Sequence, residues 1–250
     1  MNNINIAFLL TIIAGLSTLI GTLPIFLKLK HENNIICASL AFASGVMLCV
    51  SITDLIPESL NMLEHNLPAF LTIILSFLFI IIGIIISSLI SKNIPETSKI
   101  TNNNLYKVGI ISMLAIIIHN IPEGIATFIS TTKSISLGLS LTLAIAIHNI
   151  PEGISISVPI YYATKSKFKA FSYTLISALS EPLGALITYL FLFPFINDTI
   201  LGLLFSLIAG IMLQISLTEL LPTSLKYNQS KTTRNFFIIG IIFMLLKFIF

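Results

Sequence analysis

Residues 114–125 read LAIIIHNIPEGI, and residues 143–154 read LAIAIHNIPEGI. Eleven of the twelve positions are identical, at a constant offset of 29 residues. Each copy sets a His, an Asn and a Glu inside an otherwise apolar run. On a helix, residues three and four apart lie on adjacent turns of one face. His119, Asn120 and Glu123 therefore share a face, and His148, Asn149 and Glu152 share the same face of a second helix. Pro122 and Pro151 have no N–H to give the carbonyls of Ile118 and Ile147, so each helix is expected to kink there and free a carbonyl oxygen. Gly124 and Gly153 allow another backbone to approach closely.

The rest of the chain has the composition of a membrane protein. It is 56% hydrophobic and only 9% charged over 250 residues, against about 25% charged in a soluble domain. Several runs exceed the roughly 18 apolar residues that mark a membrane-spanning helix. Strands of a membrane barrel would instead alternate apolar and polar residues. The expected fold is all-α, one integral-membrane domain of residues 1–250 with eight spans. They lie at about 4–27, 35–56, 69–90, 105–130, 136–161, 170–193, 199–221 and 235–250. Pro57 is expected to end span two, with a polar link over 58–66 and a flexible loop over 91–104. The turn near Lys133 is short, so spans four and five should be antiparallel neighbours. The third span, nearly pure Ile, Leu and Phe, should face lipid.

Charge excludes several classes. The net charge of +3 comes from basic residues spread singly over short loops, which is no nucleic-acid surface. Cys37 and Cys49, twelve residues apart on one expected helix, are too distant to bridge. The first apolar run lacks a basic flank and a cleavage site, so it reads as a span rather than a signal peptide. Eleven of the thirteen Lys and Arg fall in loops on one side, with only Lys133 and Lys247 on the other. The basic side is expected to be cytoplasmic, which leaves both termini outside.

A second repeat crosses the first. Residues 44–59 (SGVMLCVSITDLIPES) and 209–224 (AGIMLQISLTELLPTS) match at eight of sixteen positions, with Asp54 aligned to Glu219. Both repeats are inverted in the expected topology, which is the sequence mark of a secondary transporter with its site at the repeat interface. The expected architecture is 3+2+3, spans one to three mirrored by six to eight around the central pair.

A carboxylate at mid-membrane costs about 2.5–3.5 kcal/mol or more, and two facing glutamates repel. No Lys or Arg lies in the interior of spans four to six to offset this. A divalent cation would, and imidazole, carboxylate and amide oxygens suit Zn, Fe, Mn or Co. Thiolates are absent from the set, which disfavours Cu(I). Glu181, before Pro182 in span six, is the other carboxylate at this depth. Alternatives stand beside each assignment. Asn120 and Asn149 suit interhelical hydrogen bonding as well as ligation, and Glu181 suits a proton relay. Asp54 and Glu58 at the outer end of span two, and Glu219 at the inner end of span seven, suit either a cation entrance and exit or helix ends in the headgroup layer. Ser51 and Ser216 suit either path lining or packing.

Tandem HNIPEG motifs on adjacent helices, followed by Ser180, Glu181 and Pro182 in the next span, resemble the ZIP (Zrt/Irt-like protein) divalent-metal transporters, most of all their bacterial ZupT-type branch. The resemblance covers essentially the whole chain. It implies uptake of zinc, and of iron, manganese, cobalt or cadmium, across the bacterial plasma membrane through a binuclear centre. Carried across, one metal would sit on His119, Glu123, His148 and Glu152. The second would sit on Asn120, Glu123, Asn149, Glu152 and Glu181, with the two motif glutamates bridging. A homodimer through spans three and eight is the expected assembly. The competing reading is an integral-membrane di-metal hydrolase or oxidase. Neither motif copy contains H-E-x-x-H, and the His precedes the Glu by four, unlike the Glu-x-x-His of di-iron carboxylate proteins.

Overall fold

The computed structural model describes residues 3–26, 32–93, 103–192, 195, 197–227 and 230–246. Every element among them is helical. Seven helices are long and apolar enough to cross a bilayer: α1 (Asn3–Phe26), α2 (Glu32–Glu64), α3 (Ala69–Asn93), α4 (Asn104–Lys133), α5 (Ile135–Thr164), α6 (Lys167–Leu192) and α7 (Asp198–Leu225). The last, α8 (Ser230–Leu245), has 16 residues. The chain is a multi-pass helical membrane protein. The basic loop at 28–31, most of the polar 91–104 stretch and the end of span eight lie outside the described residues.

The helices overrun the expected boundaries, and Pro57 is the clearest correction. It does not end span two; the helix continues over Ile56–Glu64, so Glu58 lies within α2 rather than in a link. The reason is a π turn over Ser51–Leu55, in which the Ile56 N–H reaches the Ser51 carbonyl, five residues back. The wider turn absorbs the hydrogen bond that proline cannot make. The mirrored segment does the same. A π turn over Ile215–Leu220 puts the Leu221 N–H on the Ser216 carbonyl, and α7 passes Pro222 to reach Leu225.

In lipid, helices associate through close packing and polar contacts rather than through the hydrophobic effect. Such contacts tie α2, α3, α7 and α8 together. Ser59 Oγ meets Ser206 Oγ at 2.5 Å, and Ser206 meets Ser76 of α3 at 2.8 Å. Ser44 and Ser216 exchange hydrogen bonds at 2.8–3.0 Å. Gly45 lies against the Phe237 carbonyl and Gly240 against that of Phe42; Gly210 and Gly83 repeat this with Ile80 and Leu207. The opposite face of α3, with Phe70 and Phe77, is exposed as a lipid-facing surface should be. A separate set of contacts, described below, joins α1, α4, α5 and α6. Lys165–Glu32 (2.7 Å) and Lys226–Asn104 (3.2 Å) connect the two groups at the basic end.

Candidate metal centre

A single residue, Ser134, separates α4 from α5, and its hydroxyl caps the new helix at Leu137 N. The two helices consequently fold back on each other and bring the two motifs face to face. Both run unbroken through Pro122 and Pro151. His119 Nε2 lies 3.0 Å from Glu152 Oε1 and 3.4 Å from Glu123 Oε1, while His148 Nε2 lies 3.0 Å from Glu123 Oε1. One ligand atom each of His119, His148 and Glu152 falls within 4.8 Å of the others. All four residues are at most 6% exposed.

Closeness here is not the same as hydrogen bonding. His119 Nε2 and both Glu152 oxygens have no hydrogen-bond partner, although the first two atoms are only 3.0 Å apart. Glu123 Oε2, Glu181 Oε1 and the amide oxygens of Asn120 and Asn149 are also buried and unpartnered. Leaving so many buried acceptors bare is expensive. Bare buried N and O atoms around the His119, His148 and Glu152 group are the donor chemistry of a divalent cation.

The asparagines show how the set is oriented. Asn120 Nδ2 donates to the Ser177 carbonyl of α6 at 3.3 Å. Asn149 Nδ2 donates to the Ala14 carbonyl of α1 at 3.0 Å and to Glu181 Oε2 at 2.9 Å. The amide nitrogens thus anchor to neighbouring helices and leave the oxygens free. Both sequence readings of these residues, interhelical bond and oxygen donor, are compatible in one side chain. Gly124 lets the backbone of Glu181 press against α4: a β-carbon there would strike the Glu181 carbonyl.

A cavity of about 520 Å³ runs down to Glu123 and His148, walled by Asp54, Glu58 and Asn61 of α2 and by Lys133 and Asp198. Asp54 and Glu58 therefore lie on its lining, as the entrance reading requires. Asp198 and Lys133 were missed. Asp198 sits in the first turn of α7, where carboxylates are common for helix-dipole reasons alone, and it pairs with His65 at 3.0 Å. Glu219 stands at the other end, accepting a hydrogen bond from Ser91 at 2.5 Å. Ser51 Oγ turns back on the Met47 carbonyl at 2.8 Å, a packing role. Cys37 and Cys49 are buried on α2 and not joined in a disulfide; Cys37 Sγ lies 3.0 Å from Thr233 Oγ1.

Comparison with known proteins agrees with this chemistry. The model of the ZIP Zinc transporter family matches residues 91–247. The Clostridium perfringens protein described as "Zinc transporter ZupT" is 43% identical, the match covering 92% of this chain and 90% of that protein. Its Oceanobacillus iheyensis counterpart is 42% identical over 92% of both chains. The Streptococcus mutans one is 44% identical over 89% of both. With the motif pair, the buried His–Glu cluster and these likenesses over about nine-tenths of each chain in agreement, the chain belongs to the ZIP zinc transporter family.

Proposed function

We propose that this protein takes divalent metal cations, zinc foremost, into the cytoplasm, and that the facing HNIPEG motifs are the place where the ion sheds its water. It is a transporter and not an enzyme. The single observation behind this reading is the group of unpartnered buried oxygens and imidazole nitrogens of Glu123, Glu152 and His119, in contact with an acid-walled cavity that Glu123 and His148 line. Two bound ions account for the donors best. The first takes His119, Glu123, His148 and Glu152. The second takes the free amide oxygens of Asn120 and Asn149 with Glu181, sharing Glu123 and Glu152. Three carboxylates then face two dications, leaving a net charge of +1 instead of an uncompensated −3. Iron, manganese, cobalt and cadmium, which accept similar N and O donors, fall within the same substrate class.

The cavity opens at the α4–α5 turn, the end with few basic residues. Placing the basic end in the cytoplasm of a bacterial cell makes this the outer mouth, leaves both termini outside, and assigns Asp54 and Glu58 to entry and Glu219 to exit. The 3+2+3 arrangement is supported by the paired glycine contacts of α2–α8 and α3–α7 and by the twin π turns. The exposed apolar faces of α3 and α8 suit a homodimer. Uptake of radioactive zinc into proteoliposomes tests the function. Wild type accumulates zinc down its gradient and Glu123→Gln does not; equal uptake by the two excludes the cluster from the path.

A further inference from the structure

α1 changes character at Thr18: Asn3–Ser17 is α-helical, and Thr18–Phe26 is a 3₁₀ helix. A stretch of 3₁₀ inside a longer helix often marks a functional position. The contacts around it are a copy of those around Glu181. Asn149 Nδ2 bonds the Ala14 carbonyl, and Asn120 Nδ2 that of Ser177. Ser17 Oγ also donates to Ala14 O, and Ser180 Oγ to Ser177 O. Gly153 lies against the Thr18 carbonyl, and Gly124 against that of Glu181; Gly21 meets the Ile150 carbonyl, and Gly184 that of Ile121. Each α1 residue in this set is matched by the α6 residue 163 positions later, and each α5 residue by the α4 residue 29 positions earlier. Thr18 stands to α5 as Glu181 stands to α4.

The Thr18 side chain is fully buried, and its Oγ1 has no hydrogen-bond partner. A helical Thr or Ser ordinarily bonds the carbonyl three or four residues back. Thr11, Ser17 and Thr22 of the same helix all do so. The carbonyl four residues before Thr18 is that of Ala14, and it already accepts from Ser17 Oγ and Asn149 Nδ2. The hydroxyl is left with both lone pairs unused. Thr72, Ser112, Thr127 and Ser177 also carry buried hydroxyls without a partner, but none of these stands opposite a carboxylate in the mirrored half.

We propose that Thr18 Oγ1 is an oxygen ligand of the transported divalent cation on the α1 side of the cluster, the neutral counterpart of Glu181. This rests on the cluster being the cation site. A neutral oxygen at this mirror position completes the shell without adding a fourth carboxylate, so the cation is held without being trapped.

Zinc binding to the purified full chain, followed by calorimetry and by thermal melting, tests the assignment. Thr18→Val should weaken zinc affinity about tenfold, and Thr18→Ser, which keeps the hydroxyl, by less than about twofold. The metal-free melting temperature of Thr18→Val should hold or rise, because an unpartnered buried hydroxyl gives way to a methyl of the same shape. Wild-type zinc affinity in Thr18→Val overturns the proposal. So does a metal-free melting temperature that falls in Thr18→Val but not in Thr18→Ser, which would assign the hydroxyl to a structural hydrogen bond. Glu123→Gln serves as the separate control: if it too binds zinc like wild type, the cluster reading itself is wrong, whatever Thr18 does.

Discussion

On one side of the Glu123–His148 contact, α2, α4, α5 and α7 part around a cavity of about 520 Å³ that carries Asp54, Glu58 and Asp198. On the other side the same four helices close on Leu40, Met47, Ile111, Ile156 and Ile208, each at most 1% exposed. Backbone type does not separate the two halves, since both are helical throughout. Side-chain chemistry does: hydrated carboxylates hold helices apart, whereas Ile, Leu and Met interdigitate at crystal-like density. A cation can therefore reach the cluster from the acidic end with much of its water, and it meets hydrocarbon beyond. On the proposed function, onward movement requires the packed half to separate.

This contrast can be broken at the point where the halves meet. Glu123→Gln combined with Glu152→Gln keeps the volume and removes both charges. It should lower zinc uptake by proteoliposomes at least about 100-fold, and uptake within tenfold of wild type would show that the ion does not pass between α4 and α5. The packed half is probed by truncation. Ile156→Ala should destabilise the protein by about 2–4 kcal/mol, read as a lower melting temperature in detergent. No change would mean that this core is looser than its burial indicates.

The open half should give smaller effects of a different kind. Replacing Asp54 with Asn and Glu58 with Gln should raise the apparent KM for zinc about threefold to tenfold at low salt. The maximal rate should be unchanged, and the effect should shrink as ionic strength rises and the Debye length falls from about 30 Å to 8 Å. Lys133→Gln on the same wall should move KM slightly the other way. An equal KM in all variants would reassign these residues to the headgroup layer. The smallest effect belongs to the exposed Lys165–Glu32 pair, more than half solvent-accessible on both sides. Lys165→Gln should cost less than about 0.5 kcal/mol, so a shift of several degrees in melting temperature would point to a structural role larger than the contact implies.

Much of this arrangement was legible in the sequence because lipid makes polar residues conspicuous. A duplicated His–Asn–Glu set in an apolar run identified the facing pair, and the short turn near Lys133 made α4 and α5 antiparallel neighbours. Glu181 stood out for the same reason. What stayed hidden was carried by geometry rather than composition. Pro57 read as a helix end because a π turn has no sequence signature of its own. Asp198 carries no sequence signal beyond its place at a helix start, and only the fold sets it on the same cavity wall as Asp54. The α1–α6 correspondence keeps eight identical pairs over residues 7–26, among them Thr11/Thr174, Ser17/Ser180 and Gly21/Gly184, but they are scattered among apolar and small residues common to any two spans and gain meaning only beside the matching backbone contacts.

The most direct test is anomalous diffraction at the zinc absorption edge from crystals of the zinc-loaded protein. The strongest peak should lie between α4 and α5, within coordination distance of His119, His148, Glu123 and Glu152, with a second toward Glu181. A principal peak at Cys37 or Cys49, or none between the two motifs, would contradict the account.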